Sequence, residues 1–224
     1  EIKNPLTPIQ LSAQRLQRKY GDRLSADGEV FQECTRTIIG QVEVLKNLVN
    51  AFSRYARMPV SNPFLNDLNA VLAEAVALFQ EAHKEVAFAF ERGEGIPMLN
   101  IDPEQIKRVM LNLLDNAVAA LGSAGGRIDI KTCYDVGRRR AVVEVADNGS
   151  GVPAKYKGKI FEPYFSTKRT GTGLGLAIVS SIVAEHQGQV SVRDNQPRGT
   201  VVVFELPVPE DQLPAENAAK GAYA

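Results

Sequence analysis

The sequence predicts an α+β protein: an antiparallel helical hairpin, which a second copy would complete as a four-helix bundle, followed by an α/β sandwich. Three observations carry this reading. Two heptad-type apolar seams open the chain, the pattern beyond Pro63 changes to alternating strands and separate helices, and glycine-rich turns punctuate that second part. The 224 residues suffice for two unequal domains, placed at 1–60 and 61–208, with 209–224 as a tail lacking apolar periodicity.

In the first seam Ile2, Leu6, Ile9, Ala13, Leu16 and Tyr20 recur at spacings of 4, 3, 4, 3 and 4 residues, which places them on one helical stripe. Gly21 and Asp22 stop it, and Pro5 and Pro8, each lacking an amide proton, predict a kink near its start. After a polar connection carrying Ser25, Asp27 and Gly28, a second seam runs Ile38, Val42, Leu45, Val49, Phe52 and Ala56. Met58, Pro59 and Pro63 end it. A lone hairpin has no second layer to cover Ile39 and Leu48 as well as the seam, so a homodimer through residues 1–57 is expected.

In the second part a helix is expected around Leu65 to Ala82, then an alternating strand through Val86, Phe88 and Phe90. Asp102 and Pro103 read as an N-cap followed by proline at the first helical position, opening a helix that runs to Leu121 before Gly122, Gly125 and Gly126. Strands follow at 128–134 and 141–146, joined as a hairpin near Val136 and Gly137. A helix over 174–186 then precedes strands at 190–193 and 201–206.

Lys and Arg total 26, as do Asp and Glu, so the zero formal charge argues against broad electrostatic capture of nucleic acid or anionic membrane. At 44% hydrophobic residues the chain is too apolar for wholesale disorder. No apolar run approaches the roughly 18 residues of a membrane span, so no membrane contact is expected of this stretch. Cys34 and Cys133 have no CxxC partner, which indicates neither a disulfide framework nor a zinc site and suits a reducing cytoplasm. The chain opens at Glu1 inside a helical pattern and without methionine, as a fragment of a longer protein would.

The residues that carry chemistry lie in the second part. Asn112 and Asn116 are four apart, so their amides share one helix face at a separation of about 6 Å along the axis. Directly after a strand comes DNGSG, where Asp147 can accept a hydrogen bond and Gly149 and Gly151 let the backbone approach a flat ligand. GTGLGL then sets Gly171, Gly173 and Gly175 at alternate positions before a helix, where backbone amides and the positive dipole end suit phosphates. It is not a Walker loop, since GK[ST] is missing.

Taken in order, Asn112 with Asn116, Asp147 with its glycines, FEPYFSTK, GTGLGL and Arg198-Gly199-Thr200 resemble the N, G1, F, G2 and G3 boxes of bacterial sensor histidine kinases. Their ATP-binding domain has the Bergerat fold, shared with gyrase, the Hsp90 chaperones and MutL. Glu1-Ile2-Lys3-Asn4-Pro5-Leu6 resembles the kinase H box HExxNPL from its second letter, which puts the phospho-accepting histidine just before Glu1. LTPIQLSAQRL and FSRYARMP resemble the nitrogen-regulation sensor kinases of the NtrY type.

The resemblance implies roles. Asp147 would accept from the adenine amino group, with Gly149 and Gly151 shaping the wall and Thr200 completing the base site. Asn116 would coordinate Mg2+, with Asn112 supporting the phosphate site. Phe165 to Gly173, with Lys168 and Arg169, would form a mobile lid, Lys168 neutralising phosphate charge and Gly171, Gly173, Leu174 and Gly175 meeting the phosphates. Glu1 would be hydrogen-bond partner and base for the histidine, and Asn4 would orient water in a phosphatase reaction. ATP and Mg2+ are the implied cofactors, and a response-regulator receiver domain the implied partner, with no nucleic acid. The whole would be the cytoplasmic catalytic core of an inner-membrane-anchored sensor.

Two other readings use the same boxes: a Bergerat-fold ATPase of gyrase, chaperone or MutL type, and a nucleotide-binding dimerisation scaffold without catalysis. ATP-hydrolysing relatives carry Glu where this chain has Asn112, and an amide cannot take a proton from water. The chain departs from many sensor kinases at Ala120 and Leu121, where those carry Lys and an aromatic residue.

Overall fold

The computed structural model describes residues 3–20, 28–56, 61–122, 125–167 and 172–209. The chain divides into two units, Glu1–Pro59 with Tyr164–Leu174, and Val60–Pro163 with Gly175–Ala224.

In the first unit α1 (Lys3–Tyr20) packs against α2 (Gly28–Ala56). α1 carries Pro8 inside one continuous helical span, and Arg18 and Lys19 in its last turn complement the negative end of its dipole. The heptad seams split in two. Leu6, Ala13 and Val42 are buried, with Thr35 among them satisfied by the Phe31 carbonyl at 2.8 Å. Ile9, Leu16, Ile38 and Leu45 stay 44–47% exposed. Gln10 crosses between the helices, its Nε2 donating to Glu43 at 3.3 Å and its Oε1 accepting from Lys46 Nζ at 3.1 Å. The turn around Asp22 and Asp27, and the side chains of Leu48 and Phe52, lie outside the described residues.

The second unit contains β1 (Phe64–Asn66), α3 (Leu68–Ala82), β2 (Val86–Glu91), β3 (Leu99–Ile101), α4 (Pro103–Leu121), β4 (Gly126–Asp135), β5 (Arg140–Asp147), α5 (Ala154–Lys157), α6 (Gly175–Glu185), β6 (Gln189–Asp194) and β7 (Thr200–Pro207). Five strands form a mixed sheet in the order β2-β4-β5-β7-β6. β2 and β4 are parallel, Val86 opposite Gly126 through Glu91 opposite Lys131, and the remaining pairs are antiparallel. α4 lies within the crossover that a parallel pair requires. The α+β class expected from the sequence is the one observed. β1 replaces the first turn of the helix expected from Leu65, pairing antiparallel with β3, and Asp67 then caps α3 by accepting from the Ala70 amide at 3.3 Å.

One face of the sheet carries the helices. On β4, Ile128, Ile130 and Thr132 are buried, whereas the alternate residues Arg127, Asp129 and Lys131 make surface ion pairs. α4 is the central helix, touching α3, α6, β4 and β5, and Ile106, Val109, Met110 and Leu114 are fully buried along it.

The start of α4 is fixed by buried polar groups. Asp102 Oδ1 accepts from the Glu104 and Gln105 amides at 3.0 and 3.1 Å, and Oδ2 from the Asn62 amide at 2.9 Å. The Asp102 amide donates to His186 Nε2 at 3.0 Å, while Nδ1 lies 2.8 Å from the Ile182 carbonyl. An amide can only donate and a carbonyl only accept, so the ring is neutral with its proton on Nδ1. His186 therefore ties the end of α6 to the start of α4. His83 caps α3 and stacks on Phe79.

Candidate functional site

Two clusters of polar groups lie along one face of α4. In the first, Asn112 turns its Nδ2 back onto the Arg108 carbonyl at 2.8 Å, which directs Oδ1 away from the helix. Gly175, the first residue of α6, comes so close that a Cβ there would lie 3.2 Å from Asn112 Oδ1 and 3.6 Å from Asn116 Nδ2. Both amides thus meet the N-terminus of an 11-residue helix with no acidic residue in its first turn. Such an end presents unpaired amides and partial positive charge.

The second cluster lies one turn further along. Ala120 accepts from the Ser150 amide at 3.1 Å, and a Cβ on Gly149 would come within 2.9 Å of the Ala120 Cβ. The turn after β5 therefore rests on the end of α4, about 6 Å along the axis from Asn116. Asp147, the last residue of β5 and only 6% exposed, accepts on Oδ1 from the Gly149 amide at 2.8 Å and the Thr200 amide at 3.3 Å. Thr200 stands opposite Asp147 in the sheet register. Gly151 (φ +77°) lies beside Gly199, its would-be Cβ 3.4 Å from the Gly199 carbonyl. The small Ala120 and the inward Leu121, which would come within 2.6 Å of a Cβ on Gly126, are packing residues beneath this turn.

Asn112, Asn116 and Gly175 are therefore gathered at one end of this face, and Asp147, Gly149, Gly151 and Thr200 at the other. Gly173 (φ +67°) belongs to the segment Tyr164–Leu174, where its carbonyl accepts from the Tyr164 amide at 2.9 Å, and Leu174 is buried. Glu1, Lys168, Arg169 and Gly171 lie outside the described residues, as does the side chain of Asn4 in the first turn of α1. Among the described residues no group of three His, Cys, Asp or Glu could hold a metal ion, and no helix is long and apolar enough to cross a membrane.

Three residues brace Asp147 and its turn through contacts that no motif announces. Asn148 Oδ1 accepts from the Arg127 amide at 2.9 Å, Asn195 Nδ2 donates to the Asp147 carbonyl at 2.8 Å, and Arg198 Nε donates to the Asn148 carbonyl at 3.0 Å. Asn148 lies within DNGSG and Arg198 within Arg198-Gly199-Thr200, yet neither motif signals these contacts. Asn195 pairs across 48 positions of sequence, which no local pattern encodes.

Residues 1–59 match the His Kinase A (phospho-acceptor) domain, and residues 101–210 match the Histidine kinase-, DNA gyrase B-, and HSP90-like ATPase family. Nitrogen regulation protein NtrY of Azorhizobium caulinodans is 38% identical over 87% of this chain and 26% of its own length. The signal transduction histidine-protein kinase AtoS of Escherichia coli is 32% identical over 93% of this chain and 33% of its own length. The chain thus spans roughly a quarter to a third of these relatives. Among solved structures, the nucleotide-free catalytic domain of histidine kinase ThkA is 34% identical with a TM-score of 0.59, over 65% of this chain and 95% of that one. ThkA in complex with response regulator protein TrrA gives 29% and 0.67, over 95% and 60%. Full-length ShkA in complex with AMPPNP gives 26% and 0.65, over 92% and 44%.

Proposed function

Since this chain belongs to the sensor histidine kinases, we propose that it is a Mg-ATP-dependent protein histidine kinase core of the nitrogen-regulation type, acting through residues 1–60 and 61–208 as phosphotransfer and catalytic domains. The observation that carries this is the polar face of α4, with two amides against the start of α6 at one end and the clamped Asp147 at the other. A nucleotide laid along it has its base at Asp147 and its phosphates at α6.

The buried carboxylate of Asp147 accepts from the adenine amino group, with Gly149, Gly151 and Thr200 shaping the wall. By the resemblance, the amides of Leu174 and of Gly175 at the start of α6, with Gly171, Gly173 and Lys168, would meet the phosphates. Asn116 would supply one oxygen ligand to Mg2+, an ion that keeps most of its ligands as water and phosphate oxygens. When bound, Mg2+ neutralises phosphate charge. Asn112 positions the phosphates from one turn earlier.

The likeness of Glu1-Ile2-Lys3-Asn4-Pro5-Leu6 to the H box implies a histidine directly before Glu1, and that group would attack the γ-phosphorus. The bond to the bridging β,γ-oxygen breaks, ADP leaves, and the imidazole proton passes to Glu1. The phosphoryl group then moves to an aspartate of a response-regulator receiver domain, and Glu1 with Asn4 can direct water against that phosphoaspartate. The test is transfer from γ-labelled ATP to a version of the chain carrying histidine before Glu1. Label on that histidine, abolished in Asp147→Asn, is the expected result; ATP binding without label would overturn the kinase reading.

Asn112 separates this reading from a Bergerat-fold ATPase. Asn112→Glu places a base where water can be activated, and phosphate release from ATP is expected to rise at least about 10-fold. An unchanged rate would mean that Asn112 does not stand where the attacking water would.

The exposed half of the hairpin's seam supports a homodimer through residues 1–57. Ile9, Leu16, Ile38 and Leu45 recur at heptad spacing on a face the hairpin leaves uncovered, and each large aliphatic buried contributes about 1.5–3 kcal/mol. Leu16→Glu with Leu45→Glu is expected to convert the dimer to monomer in light scattering. A dimer that survives both substitutions would place the interface elsewhere.

A further inference from the structure

The geometry points to Asn195 and Arg198 as positioning residues that set the base selectivity of the Asp147 site. This rests on the nucleotide reading above. The β6–β7 connection closes over the turn after β5 at several points. Asn195 Nδ2 donates to the Asp147 carbonyl at 2.8 Å, Arg198 Nε to the Asn148 carbonyl at 3.0 Å, and the Thr200 amide to Asp147 Oδ1 at 3.3 Å. Gly199 lies flat against the Asp147 carbonyl, leaving no room for a Cβ. Asn195 is itself braced, its Oδ1 accepting from the Gln196 amide at 2.9 Å and its amide donating to the Gly199 carbonyl at 3.1 Å.

The consequence is positional. Two amides hold the Asp147 carboxylate from the side-chain end, and the Asn195 amide holds the same residue by its carbonyl. Fixing both ends removes the freedom by which a carboxylate could move aside for a base bearing an oxygen at C6. A site held this way rejects the wrong base through unpaired, repelling groups, whereas a loose one accommodates it. Neither Asn195 nor Arg198 needs to touch the ligand.

The experiment titrates ATP and ITP, which bears an oxygen in place of the adenine amino group, into the chain and three variants. Asn195→Asp keeps the acceptor for the Gln196 amide but removes the donor to Asp147, so the loop's own turn is retained. Arg198→Ala removes an exposed side chain and serves if the first variant fails to fold. Each is expected to narrow the ATP-to-ITP affinity ratio, Asn195→Asp by about fivefold, the worth of one hydrogen bond, while Asp147→Asn collapses it. A merely structural role would weaken both nucleotides alike and leave the ratio unmoved. If both variants keep the parent ratio while Asp147→Asn collapses it, the positioning role is overturned and the base site stands. If Asp147→Asn leaves the ratio unchanged, the base reading fails and the proposal with it.

Discussion

Asp147→Asn is expected to weaken ATP binding roughly 100-fold, about 3 kcal/mol, while leaving the protein folded. The isosteric amide keeps the oxygen that accepts from the Gly149 and Thr200 amides at 2.8 and 3.3 Å, so the turn has no reason to open. What changes is the group offered to the base. A carboxylate accepts only, and Asn presents an NH2 donor where the adenine amino group also donates. Asp147 is 6% exposed, so water cannot relieve that donor–donor contact, and the charge assistance of the original bond is lost as well. Equilibrium titration with ATP, beside a circular-dichroism spectrum matching the parent, checks the result.

Gly199→Ala is expected to be the more damaging change to the fold, costing about 3 kcal/mol or more in urea denaturation. Two costs add. The backbone sits at φ +112°, which L side chains rarely adopt, and the new methyl would overlap the Asp147 carbonyl and lie 2.9 Å from the Asn148 Cα. Neither obstacle is the flexible end of a side chain, so the strand-end turn itself must move. Nucleotide binding should fall with stability because the displaced group is Asp147. Gly95→Ala provides the contrast: φ is +68°, yet nothing lies within 4 Å of its would-be Cβ, and about 1 kcal/mol is expected. Equal losses at the two positions would mean that backbone strain alone, not the close approach to Asp147, governs Gly199.

The parts of this architecture legible in the sequence are those whose causes are local. Asp102-Pro103 announces α4 because the cap that starts the helix is made by neighbours, and the four-residue step from Asn112 to Asn116 is enough to put both amides on one face. β1 and β3 were not legible. Three-residue strands have no period, and Phe64–Asn66 is a strand only because Leu99–Ile101 lies beside it. α5, a single turn, left no signal either. Heptad spacing predicts one stripe per helix, whereas the two-helix packing buries Leu6, Ala13 and Val42 and leaves alternate members outside. At the site, the motif residues of the turn after β5 could be named from their types. The supports could not, since Asn195 and Ala120 act through backbone groups distant in sequence.

In the proposed reading the face of α4 and the turn after β5 form one Mg-ATP site. Calorimetric titration of ATP into this chain, with and without Mg2+, beside Asn116→Ala and Asp147→Asn, tests it most directly. Saturable binding that Mg2+ strengthens is expected, with Asn116→Ala abolishing the Mg2+ dependence and Asp147→Asn abolishing most of the affinity. Parent-like binding in both variants, or none in the parent, would contradict it.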